Sequence, residues 1–155
     1  MDNLIHQADP LMERFIELMD EDTQAYHLVV DALRMPRETM EEQAARKNAI
    51  ESASRKAAEV PLETLKYTLK LADFVKEAVA KGNVNCITDA GTAALLVRTA
   101  AYAAAYNVRI NLNGITDPVF LANCRLEVYR IISCIDEAID AVQQHVDSFL
   151  KMAEA

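Results

Sequence analysis

Apolar residues along this chain recur at helical spacing almost from end to end. In the first segment Leu11, Phe15, Leu18, Met19, Asp22, Tyr26, Val29, Val30 and Leu33 fall at steps of three and four. That is the apolar stripe of an amphipathic helix, with Asp22 as its one acidic member. Asp9-Pro10 supplies an N-cap with Pro at the first helical position, and Pro36 closes the segment. Thr39 and Glu42 have the spacing of a capping box and predict a second helix, with Ala44, Ala45, Ile50, Ala53 and Ala57 as a small-residue stripe. Val60-Pro61 either kinks that helix or starts another, and the stripe resumes from Leu62 until Lys81-Gly82 stops it. Thr88 reads as the N-cap of an Ala-rich helix that runs to about Tyr106, apolar nearly all round and so expected at the centre of the bundle. Val108 to Leu112 alternates like a short extended segment, too isolated to make a sheet. Asp117-Pro118 opens the last helix, whose stripe includes Leu121, Leu126, Tyr129, Ile132, Ile135, Ile139, Val142, Val146 and Phe149. The pattern predicts an all-α fold, a bundle of long helices around the Ala-rich one, in a single domain over residues 1–155.

Composition narrows the function classes. Only three glycines and four prolines in 155 residues leave few tight turns, which fits few, long elements. The net charge of −8 disfavours a nucleic-acid partner, whose phosphates demand clustered Lys and Arg, and an anionic membrane face. The stretch Ala90 to Ala105 is interrupted by Arg98 and is too short to span a bilayer. Cys86, Cys124 and Cys134 are odd in number and lack CxxC spacing, so we expect reduced core cysteines and a cytoplasmic protein. His6, His27 and His145 stand far apart with no HxxxH pair, and no metal site is expected.

Polar residues concentrate at the two ends of the Ala-rich helix. Lys81 to Gly91 packs Asn83, Asn85, Thr88 and Asp89 just ahead of it. One reading is a capped turn. The other is a pocket wall, in which the field of a helix N-terminus suits an Asp89 carboxylate that accepts a proton or stabilises a cation. At the far end Asn107, Arg109 and Asn111 form a second run. Asn107 is expected as a left-handed C-cap, and Arg109 is a candidate anchor for a carboxylate. Asp20-Glu21-Asp22 with Tyr26 reads as a solvated helix face, although Asp22 and Tyr26 fall on the apolar stripe and a buried pair stays open.

Taken together, Asp20-Glu21-Asp22 through Tyr26, Met35-Pro36-Arg37-Glu38-Thr39, Glu41-Glu42-Gln43-Ala44-Ala45-Arg46, Val60-Pro61-Leu62, Lys81-Gly82-Asn83, Thr88-Asp89-Ala90-Gly91 and Asn107-Val108-Arg109-Ile110-Asn111 resemble the cyclodeaminase/cyclohydrolase family of tetrahydrofolate enzymes. The resemblance implies either cyclodeamination of 5-formiminotetrahydrofolate to 5,10-methenyltetrahydrofolate, or hydrolysis of the latter to 10-formyltetrahydrofolate. It implies a folate substrate, no resident cofactor, and a homodimer or higher oligomer. Asp89 would be the proton acceptor, with Asp22 as a second catalytic candidate. Asn83, Asn85, Thr88, Asn107, Arg109, Asn111 and Tyr26 would bind substrate. The family's opening proline- and glycine-rich motif has no counterpart here, because Gly82, Gly91 and Gly114 are never adjacent. The domain is therefore expected to be short at its N-terminus. The alternative is a helical module that kept the fold but not the chemistry and acts by self-association or by binding a partner.

Overall fold

A computed structural model describes residues 2–153. They form four α-helices, α1 (Asp2–Arg34), α2 (Met40–Lys81), α3 (Ile87–Asn111) and α4 (Pro118–Ala153), with 3-10 turns at Val84–Cys86 and Leu112–Gly114. No strand occurs among the described residues, and the all-α bundle stands. Several boundaries differ from expectation. α1 does not begin at Pro10 but runs through it from Asp2. The Val108–Leu112 segment is helical rather than extended, and no non-glycine residue among those described has positive φ, so Asn107 is no left-handed cap. Helix α3 simply continues to Asn111, because Val108 and Leu112 are buried one turn apart on its inner face.

Helix α2 is the hub, packing against α1, α3 and α4. Its start follows the sequence signal: the Thr39 hydroxyl accepts from the Glu42 N–H, and the Glu42 carboxylate accepts from the Thr39 N–H at 3.1 Å. Beyond it the chain continues straight through Pro61 as one helix of 42 residues. A proline inside a helix has no N–H to give the carbonyl four residues back. Here that carbonyl belongs to Ala57, and the Asn111 side-chain amide donates to it at 2.8 Å. The second hydrogen of the same amide goes to the Asn107 carbonyl at 2.9 Å. Asn111 thus repairs from α3 the bond that Pro61 removes from α2.

Small residues let these helices approach closely. Ala58 and Ala72 of α2 and Ala94, Ala101 and Ala105 of α3 are essentially fully buried between them. Helix α4 contributes Cys124, Val128, Ile131, Ile135, Ala138 and Val142 at alternating steps of four and three. Leu126 and Tyr129, expected on that stripe, are exposed. In α1 the buried line is Leu11, Leu18, Ala25 and Ala32, seven residues apart each time, whereas Met19, Tyr26 and Leu33 face outward. The Ala-rich helix is not enclosed within the single chain: Leu95, Leu96, Tyr106 and Ile110 are all at least half exposed on its outer face.

Polar braces fix the packing. Arg98, in the middle of the most apolar helix, donates to the Gln143 side chain, the Asp136 carbonyl and the Asp140 carboxylate of α4. Tyr102 donates to Asp136 at 2.8 Å, and that acceptor pushes its hydroxyl pKa upward. Arg55 of α2 pairs with Asp117 at 2.9 Å, and Asp117 caps α4 by accepting from the Val119 and Phe120 N–H groups. Arg14 ties α1 to α2 through Glu63 and also holds Glu21 at 2.6 Å, keeping the Glu21 carboxyl below its usual range.

The Asn111 repair makes a coupled prediction. Asn111→Ala should destabilise the protein in urea unfolding by about 1–3 kcal/mol, because a buried carbonyl loses its donor. In a Pro61→Ala background the residue 61 N–H returns to the Ala57 carbonyl, so the same substitution should cost markedly less. Equal costs in both backgrounds would show that the two residues are not linked.

Candidate functional site

The segment between α2 and α3 is shaped by its own backbone bonds. Helix α2 ends as Gly82 turns extended, with its N–H still reaching the Ala78 carbonyl at 2.8 Å. The Asn83 side chain then accepts from the Asn85 N–H at 3.0 Å, and the Cys86 N–H returns to the Asn83 carbonyl at 2.9 Å. This single turn aims the chain into α3, which starts at Ile87 with no side-chain cap. Thr88 is therefore not the N-cap; it lies inside the first turn, and its carbonyl accepts from the Thr92 hydroxyl at 3.0 Å. Asp89 also lies in that first turn, where the positive end of the helix dipole attracts an anion.

Around this turn lies a cleft of about 450 Å³, walled by the end of α2 (Ala78, Val79), by Gly82, Asn83, Val84 and Cys86, and by Ile87, Asp89, Ala90 and Ala93 of α3. Its outer wall includes His145 of α4. The lining is mostly apolar with a few polar groups, the usual make-up of a small-molecule site. All four sequence candidates here are exposed; Asp89 and Asn83 line this cleft, while Asn85 and Thr88 do not. His145 and Cys86 were not expected there. Cys86 and Cys134 are exposed rather than core residues, and only Cys124 is buried. His145 comes to the cleft because its neighbour Val146 packs on Gly91, where an added Cβ would lie 3.3 Å from the valine methyls. That approach of α4 to α3 has no signature in the spacing of the histidines. It is hinted at only by a glycine in a helix interior.

The other candidates lie elsewhere. Asp22 and Asn107 line a second cleft of about 360 Å³, with Phe15 and Met19 of α1, Pro61 and Thr64 of α2, and Ala100 and Ala103 of α3. Tyr26 is exposed, edge-on to His27, and is not part of it. Arg109 is exposed. Asn111 is occupied by the Ala57 and Asn107 carbonyls. Asp89 and Asn107 stand eighteen residues apart on one straight element, roughly 27 Å at 1.5 Å per residue. The two ends of α3 therefore present separate clefts within one chain. Among the described residues no group of three His, Cys, Asp or Glu is placed to hold a metal ion, and no helix is long and apolar enough to cross a membrane.

Comparison with known proteins fits this architecture. Residues 1–130 match the family described as formiminotransferase-cyclodeaminase. The chain belongs to that family. It is 32% identical over 138 residues to the formimidoyltransferase-cyclodeaminase of Rattus norvegicus, covering 89% of this chain and 25% of the rat protein. It is also 32% identical over 117 residues to the methenyltetrahydrofolate cyclohydrolase of Methylorubrum extorquens, covering 76% of this chain and 56% of that protein. Among solved structures, the formiminotetrahydrofolate cyclodeaminase of Thermotoga maritima superposes with a TM-score of 0.84 at 22% identity, over 97% of this chain and 71% of that one. The fold is thus that of a cyclodeaminase, and the chain spans about a quarter of the length of its rat relative.

The cleft geometry also predicts thiol reactivity. In the native protein Cys86 and Cys134 should react with a chromogenic disulfide reagent within minutes. Cys124, whose thiol is pushed up by burial and by the nearby Glu59 charge, should react only on unfolding. Three fast thiols would contradict the packing of α4 on α2.

Proposed function

We propose that this family member acts in tetrahydrofolate one-carbon metabolism, at the Asp89 cleft. The observation that carries this reading is the position of Asp89: a solvent-accessible carboxylate at the dipole-positive head of α3, at the mouth of a largely apolar cleft, in a chain of this family. Its relatives include both a cyclodeaminase and a cyclohydrolase, and the two reactions share one demand. In cyclodeamination N10 attacks the amidine carbon of 5-formiminotetrahydrofolate and loses its proton, and the tetrahedral adduct expels ammonia once its nitrogen is protonated. In hydrolysis water adds to the cationic methenyl carbon and sheds a proton; then the N5–C bond of the adduct breaks as N5 takes up a proton and the adduct hydroxyl gives one up, leaving the 10-formyl C=O. Each route needs a proton carrier beside a carbon that bears positive charge. Asp89 takes the proton and stabilises the amidinium, and Asn83 orients the pterin side. His145, also lining the cleft, is a second candidate proton carrier. The folate is substrate, and the scheme calls on no resident cofactor or metal. Such a role belongs in the cytoplasm.

Asp89→Asn keeps the shape and removes the acceptor. Followed by the absorbance of methenyltetrahydrofolate, its kcat should fall by about 10²–10⁴-fold while substrate affinity changes only a few-fold. Unchanged turnover would remove Asp89 from the chemistry.

A homodimer is part of the proposal. The outer face of α3 leaves Leu95, Leu96, Tyr106 and Ile110 at least half exposed, apolar side chains of the kind that pair with another copy. A two-fold axis across α3 would set the Asp22–Asn107 end of one chain beside the Asp89 end of the other, joining candidates that a single chain keeps apart. Leu96→Glu should convert a dimer to a monomer in light scattering and lower turnover with it. A wild-type chain that is monomeric at assay concentration would overturn this arrangement and favour the reading as a module for some other partner.

A further inference from the structure

The turn between α1 and α2 carries a concentration of positive charge that the chemistry above leaves unused. A cleft of about 280 Å³ is lined by Arg37, Gln43, Arg46, Lys47, Ile50 and Gly114, with three cations and no carboxylate. The chain has 24 acidic residues against 16 Lys and Arg, so an all-cationic lining runs against its composition. None of the three cations forms an ion pair among the described residues. Two nearby acids are committed elsewhere: Glu42 accepts from the Glu38 and Thr39 N–H groups, and Glu51 accepts from Arg55 and Thr116, while Glu38 and Glu41 do not line the cleft.

The cleft is held in shape. Arg46 donates through Nη2 to the Leu33 carbonyl at the end of α1, at 3.0 Å, and Gln43 donates to the Arg37 carbonyl at 3.1 Å. Across from them the turn carrying Gly114 lies so close to α2 that an added Cβ would stand 2.8 Å from the Ser54 Cβ. Arg46 Nε is buried with no hydrogen-bond partner, a donor left open in a framework that satisfies its neighbours.

Three like charges lining one cleft without a counter-charge repel one another. Arg46 also braces the end of α1, but Arg37 and Lys47 make no bond through their charge that would offset the repulsion, and a bound anion would. We propose that this cleft is a binding site for a small polyvalent oxyanion, a dicarboxylate or a phosphate group. Arginine forks match the paired oxygens of either group, and lysine adds a point charge. The site lies past the C-terminal end of α3, at the opposite end of that helix from Asp89. It does not depend on the folate reading.

Titration calorimetry of the whole chain at low ionic strength, with inorganic phosphate and with glutarate as separate probes, tests it. At least one probe should bind at one per chain, about tenfold more weakly to Arg37→Gln and to Lys47→Gln. Both residues are exposed and make no structural bond through their charge, so each variant should melt without ligand at the wild-type temperature or above it. Binding of glutarate alone assigns a dicarboxylate, and binding of phosphate assigns a phosphate group. Failure of both probes at about 10 mM, or affinities unchanged in both variants, would overturn the site.

Discussion

A proline in the middle of the longest helix sets the terms of this fold. Pro61 deprives the Ala57 carbonyl of its donor, and Ala57 is buried where α2 meets α1 and the end of α3. An unpaired buried carbonyl costs more than most single contacts return, so α3 must deliver a donor at one place and in one register. Asn111 does so, and in fixing it the bundle fixes the sliding position of α3 along α2. From that register follow the placement of Ala94, Ala101 and Ala105 against α2, the approach of Gly91 to Val146, and the position of Asp89 at the mouth of its cleft.

What the sequence made legible was periodic or local. The capping box at Thr39, the stop at Gly82 and the start of α4 at Asp117 could each be read from a few neighbouring residues, because a cap is a bond within one turn. Its misreadings came where a tertiary contact outweighed a local preference. Asp9-Pro10 looks like a beginning, but the helix tolerates the proline and runs on. Val108 to Leu112 alternates, but burial of Val108 and Leu112 against the other helices holds it helical. Thr88 has the chemistry of a cap, but the 3-10 turn at Val84–Cys86 starts the helix two residues earlier, with Cys86 at the N-cap. In α1 the true core line mixes leucine with alanine, and the larger Met19 and Tyr26 on the next face disguised it.

The candidate site divides along the same line. Asp89 and Asn83 were legible because polar residues crowd ahead of an apolar helix, which is a pattern within one stretch. His145 was not, since its place in the cleft depends on how α4 lies against the distant start of α3. Asn111 was legible as polar and conspicuous but misleading as to purpose. Both hydrogens of its amide are spent on backbone carbonyls, so no donor remains for a ligand. A cluster of polar residues marks where hydrogen bonds are needed, and only the neighbouring chain tells whether the need is internal.

The division of the core has a consequence for motion. One apolar cluster joins α2, α3 and α4 and contains nearly all the large fully buried side chains. A second, much smaller one joins α1 to α2 alone, through Leu18, Ala25, Ala57 and Val60 with Phe15, Val29 and Tyr67 at its edge. Helix α1 is thus a strap on a three-helix body, held by that seam, by Arg14 and by Arg46 at its C-terminal end. Its release costs far less than global unfolding, so amide exchange would see α1 open as a separate cooperative unit while α2, α3 and α4 stay closed. The cleft of Asp22 and Asn107 exists only while that strap is down.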